Sequence, residues 1–85
     1  MDNHSNCYIR LVAPLKDYRL FMEMESGSTV TVDLSAKLHT VKYGLLENEA
    51  LFFNVATDGD YVMWGGGRVR VSVQELMDVV LLGEI

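Results

Sequence analysis

The chain holds one cysteine, one proline and no long apolar run, and its basic residues are outnumbered. The lone Cys7 can close no internal disulfide, which excludes a disulfide scaffold and fits a reducing cytoplasm. No electropositive neighbours in sequence activate its thiol, so it is expected to pack as a small apolar residue. A single Pro14 argues against a proline-rich linker or tail. No stretch approaches the ~20 apolar residues of a membrane span. The segment Met1-Asp2-Asn3-His4-Ser5-Asn6 is polar and lacks a basic leader region, so residues 1–6 are expected to be disordered rather than to form a signal peptide. Seven basic residues against 12 acidic ones give a net charge of -5. A surface of that sign repels phosphate backbones and argues against direct nucleic-acid binding.

What is present suits one small domain. The 85 residues are read as a single unit, 1–85, and a hydrophobic content of 49% is ample for one core. A domain of this size buries little more than ~60% of its unfolded surface. Residues 7–13 alternate with period two, placing Cys7, Ile9 and Leu11 on one face and Tyr8, Arg10 and Val12 on the other. Pro14 is expected to end that strand in a turn, Pro14-Leu15-Lys16-Asp17. Tyr18–Glu25 alternates again, with Tyr18, Leu20, Met22 and Met24 set against Arg19, Phe21, Glu23 and Glu25. Ser26-Gly27 reads as a hairpin connection, and Thr29–Leu34 as a third strand with Val30, Val32 and Leu34 inward. The three strands make a meander.

Ser35 is expected to cap a short helical turn over residues 36–39. Thr40–Phe53 is the least patterned stretch. Leu45, Leu46, Phe52 and Phe53 call for burial there, and Asn48 is placed to cap a short helix. Val55–Thr57 and Tyr61–Trp64 read as a hairpin turned by Asp58-Gly59-Asp60. Gly65-Gly66-Gly67 allows a bend into the extended Arg68–Val71. Ser72 and Glu75 then form a capping box. Val73, Leu76, Met77, Val80 and Leu81 share one helical face, broadened by Val79 and Leu82, and Gly83 is placed to end the helix. The fold class is α+β: a small, mostly antiparallel sheet, meander plus hairpin, with a C-terminal helix packed on it. Such a layer leaves its second sheet face uncovered. Phe21, Tyr8 and Val12 on that face, with the wide helix stripe, point to a homodimer or a partner protein.

Signals of chemistry are sparse. The glycine run lacks the following Lys and helix of a phosphate loop, so it reads as a turn. Arg68 and Arg70 read as a solvated strand face. His4, Cys7 and His39 match no zinc spacing, so no metal or other cofactor is expected. Asp33, Asp58 and Asp60 have turn or outward positions and no accompanying nucleophile, so no catalytic residue is assigned and an enzyme is not expected. Trp64 is either a core anchor whose indole meets a carbonyl, or the floor of a pocket or partner site together with Tyr61, Tyr43 and Arg68.

An ordered set of residues carries a resemblance: Asp17-Tyr18-Arg19-Leu20, Gly27, Asp33-Leu34-Ser35, Leu51-Phe52, Val55, Asp58-Gly59, Val62-Met63-Trp64, Gly67, Ser72 and Leu76. Over about Cys7 to Val80 the chain resembles the small bacterial family catalogued as a domain of unknown function, number twenty-four forty-two. It departs where relatives often carry Pro or Asn before the glycine and Pro after the Asp-Leu-Ser step; here Gly65-Gly66 and Ala36 stand instead. The resemblance implies an α+β fold with a mostly antiparallel sheet. Some relatives carry an added helix-turn-helix domain, absent from these residues. Some are encoded beside another small protein, which implies a regulatory or toxin–antitoxin-like pair. It implies no catalytic residues. The expected function is therefore a non-catalytic protein–protein interaction or regulatory module in the cytoplasm, with a small-molecule-binding domain near Trp64 as the alternative.

Overall fold

Two meanders, each built from consecutive strands, make up the protein. The structure, a computed structural model, describes residues 8–82. In the first sheet β1 (Ile9–Leu15), β2 (Arg19–Met24) and β3 (Thr29–Asp33) pair antiparallel in sequence order. In the second, β4 (Val55–Thr57), β5 (Tyr61–Trp64) and β6 (Val69–Ser72) do the same. Short 3₁₀ turns and the helix α1 (Glu49–Phe52) link the sheets, and α2 (Val73–Leu82) follows β6 and packs against β3 and β6. The fold is α+β, as the alternation and the capping box anticipate. The expected hairpin gains a third strand, because Val69–Ser72 pairs with Tyr61–Trp64 residue for residue.

The core forms where the inward faces of both sheets meet the helices. Leu20, Met22 and Val32 of the first sheet are buried with Val62, Trp64 and Val71 of the second and with Leu76 of α2. Phe52 lies between them. Its ring stacks on Trp64 at 6.3 Å and receives the edge of Tyr18 at 5.3 Å. Such aromatic pairs add about 0.5–1.5 kcal/mol each beyond the area they bury. The seam between the sheets is short and polar. The Ile9 amide donates to the Gly59 carbonyl at 2.8 Å, and the Tyr8 hydroxyl donates to the Asp58 carbonyl at 3.1 Å.

Local sequence accounts for the helix starts. The Asn48 side chain accepts from the amides of Ala50 and Leu51, capping α1. At α2 the Glu75 amide donates to Ser72 Oγ while the Ser72 amide donates back to Glu75 Oε1, both at 3.1 Å. This reciprocal pair is the expected capping box, and such caps contribute about 1 kcal/mol. Gly83, proposed to end the helix, lies outside the described residues, as do Cys7 and His4.

Several expectations are corrected. The pairing of β1 with β2 slips by one residue between Ile9 and Leu11, a β-bulge with Arg10 as the extra residue. Beyond it the alternation inverts, so Val12 faces the core opposite Met22, and Leu11 faces outward with Leu15. Pro14 does not end the strand, which continues to Leu15. It is tolerated because β1 has a ladder partner on one side only. Ser35 does not cap the turn that follows it. Its hydroxyl and its amide both donate to Asp33 Oδ1, at 2.7 and 2.9 Å, so the carboxylate organises the turn. Of the four apolar residues expected inside between 45 and 53, Leu46 and Phe52 are buried, whereas Leu45 and Phe53 stay about half exposed. Each exposed residue adjoins a buried one in a single tight turn, and such a turn presents only one of the two to the core.

Candidate functional site

The four residues singled out from the sequence are split between the core, which takes Trp64 and Tyr43, and the outside, which takes Tyr61 and Arg68. Along β5, side chains alternate: Val62 and Trp64 enter the core, and Tyr61 and Met63 face outward. Trp64 and Tyr61 therefore lie on opposite faces of the second sheet. Trp64 is fully buried, and its indole Nε1 has no hydrogen-bond partner, so the expected carbonyl is missing. Tyr43 is buried in the segment that leads towards α1, where burial, then the nearby Glu75 carboxylate, push its phenol pKa up and keep it neutral. Arg68 is exposed in the turn before β6. Its neighbour Arg70 lies over the Tyr61 ring, the guanidinium carbon 3.9 Å from the ring centre, a cation–π contact on an exposed strand face.

The carboxylates weighed as acid–base candidates are tied to turns. Asp58 Oδ1 accepts from the amides of Tyr61 and Asp60, both at 3.0 Å, and these bonds hold its pKa below the ordinary carboxylate value. The Ser35 hydroxyl and amide hold Asp33 down in the same way. Glu75 is held down by Lys42, whose ammonium is 2.6 Å away, and by the Ser72 amide. Groups held in this direction are ionised across the neutral range and poorly placed as general acids. Among the described residues no cluster of three or more His, Cys, Asp or Glu side chains is positioned to hold a metal ion.

These bonds set a pH dependence. A carboxylate whose folded pKa is depressed contributes stability above its unfolded value of about 4, and that contribution is lost as pH falls through the folded value. Urea unfolding is therefore expected to show a plateau above about pH 5 and a steady loss below about pH 4. Asp33→Asn and Glu75→Gln should each flatten that decline, and an unchanged acid limb in both variants would show that these contacts do not persist in solution.

The feature that sequence reasoning caught only in part is the outer face of the first sheet. Its residues form three cross-strand rows: Leu11–Glu23–Thr29, Ala13–Phe21–Thr31 and Leu15–Arg19–Asp33. Leu11 and Leu15 are about 40% exposed. Phe21, at the centre, is half-buried by its sheet neighbours and stands outside the core cluster. Arg10 reaches across the bulge to Glu23 at 3.3 Å, and Arg19 forms no ion pair among the described residues. Phe21 is visible on this face from its alternation. Leu11 and Leu15 are not, because the bulge and the extension through Pro14 place them there. Leu45, Phe53 and the fully exposed Val41 are further apolar side chains in solvent.

Among the described residues, no helix is long and apolar enough to cross a membrane. No family model, no curated protein and no solved structure matches the chain, so the family resemblance stands on the quoted residues alone.

Proposed function

We propose that this chain is a non-catalytic interaction or regulatory module that works through protein–protein contact. The observation that supports it is the apolar stripe on the outer face of the first sheet, where Leu11 and Leu15 are exposed and Ala13 and Phe21 partly so. Contiguous exposed apolar surface with a polar rim is a common mark of docking sites. Asp33, Asp58 and Glu75 support the same reading, since their turn and cap bonds hold them ionised near neutrality. The resemblance to the small bacterial family adds a regulatory or toxin–antitoxin-like pairing, in a reducing cytoplasm consistent with the single cysteine.

A second reading, a small-molecule-binding domain around Trp64, draws on the unpaired indole N–H. The two are separated by measuring molar mass by light scattering at rising concentration and by screening metabolites for a shift in melting temperature. The interaction reading expects a mass above that of the monomer or a stoichiometric partner retained through purification. A strictly monomeric mass, no partner and a clear ligand shift that Trp64→Phe abolishes would replace it with the second reading.

A further inference from the structure

We propose that the outer face of the first sheet seats the same face of a second copy of this chain, with the strands of the two copies running in opposite directions. This rests on the interaction reading and names its partner. The argument is the distribution of apolar and charged groups over the three rows. Place a two-fold axis between two such faces, across the strands and along the Ala13–Phe21–Thr31 row. Each Phe21 then meets its counterpart at the centre. Leu11 of one copy meets Leu15 of the other, so the exposed leucines cover one another. Arg19 of one copy meets Glu23 of the other, twice, by symmetry.

A second aligned face-to-face arrangement, with the axis along β2, fails on both counts. It sets Arg19 against Arg19 and Glu23 against Glu23, and it lays the leucines of β1 over Thr29 and Asp33 of β3. Like charges brought together at an interface are strongly disfavoured, so the reversed arrangement is selected. Net charge points the same way. The chain carries -5 and copies repel each other in general. The three rows with Arg10 at the bulge carry Arg10 and Arg19 against Glu23 and Asp33, and Glu25 just past β2 adds one negative charge, so this face is less acidic than the chain as a whole. Arg19 brings no ion pair of its own, and Glu23, already bonded to Arg10, would be shared between the two guanidinium groups.

The face is small. Three strands about 4.8 Å apart, and five to seven residues at about 3.3 Å, span roughly 10 Å by 20 Å. That is well short of the ~800 Å² per partner of a standard interface, so the dimer is weak and transient.

Sedimentation velocity on the full chain over a wide concentration range tests this. Wild type is expected to show a monomer–dimer equilibrium. Phe21→Ser is expected to weaken it by about tenfold or more, as loss of a central aromatic does. Arg19→Glu and Glu23→Arg should each weaken it, while an equimolar mixture of those two variants recovers association, because every cross-pair then joins opposite charges. The double variant Arg19→Glu/Glu23→Arg also recovers it. Circular dichroism confirms folding; should Phe21→Ser not fold, Leu11→Ser at a surface position takes its place. Wild-type association undiminished by the face variants overturns this surface and leaves the interaction reading standing through another. A wild type that stays monomeric while this face retains a different protein overturns the second copy as occupant. A monomer with no partner overturns both.

Discussion

Replacing Trp64 with alanine is expected to destabilise the protein by about 3–5 kcal/mol, the range for large aromatic truncations in a packed core. That is a large share of the roughly 5–15 kcal/mol available to a domain. Trp64 is fully buried, stacks on Phe52 and joins the second sheet to the core. Nothing on the surface can slide in to fill so large a void. The same residue allows a sharper test. Its indole N–H is buried without an acceptor, and an unsatisfied buried donor costs about 1–3 kcal/mol. Trp64→Phe removes that donor along with part of the ring and keeps an aromatic face against Phe52. The gain and the loss oppose each other, so its net cost is expected to stay below about 1.5 kcal/mol. Urea denaturation of both variants checks this. A phenylalanine variant nearly as unstable as the alanine one would mean that the indole nitrogen has found a partner in solution.

Gly59→Ala is expected to cost about 3 kcal/mol, from backbone strain and overpacking together. The residue sits at φ 105°, a conformation that side-chain-bearing residues rarely adopt, and a methyl group there would run into the ring of Tyr8. Its position magnifies the effect. The Gly59 carbonyl receives the Ile9 amide, and the displaced Tyr8 hydroxyl would lose the Asp58 carbonyl. Both links across the seam are strained by one methyl group. At about 4–8 °C per kcal/mol for a domain of this size, the melting temperature should fall by roughly 12–24 °C. Adding Tyr8→Ala to Gly59→Ala should cost less than the sum of the two single changes, because the collision is gone while the backbone strain stays. Additive costs in that double-mutant cycle would show that the ring does not pack on Gly59.

Most of the architecture was legible because its causes are local. Alternation marked β2 and β3, the cap of Asn48 marked α1, and Ser72 with Glu75 marked the start of α2. What was not legible depends on pairing. The bulge at Arg10 exists only relative to β2, and no residue of β1 announces it. The strand through Pro14 depends on β1 having one ladder partner, a property of the finished sheet. Leu45 and Phe53 were misplaced because hydrophobicity alone does not say which side of a tight turn meets the core. The candidate site suffered most from this. Grouping Trp64 with its chain neighbours Tyr61 and Arg68, and with Tyr43, ignored the pleat, which sends Trp64 and Tyr61 to opposite faces. Phe21 was placed correctly, yet the leucines beside it came into view only with the register.

The bulge that takes up one extra residue in β1 thus decides which of its later side chains face outward. With the same residues in a regular pleat from Ile9 onward, Leu11 would join the interior and Val12 would stand outside, leaving a blander exterior and a fuller centre. The bulge absorbs Arg10 without moving its neighbours: a chain lacking that residue would have a regular pleat and still set Leu11 opposite Glu23 and Val12 opposite Met22.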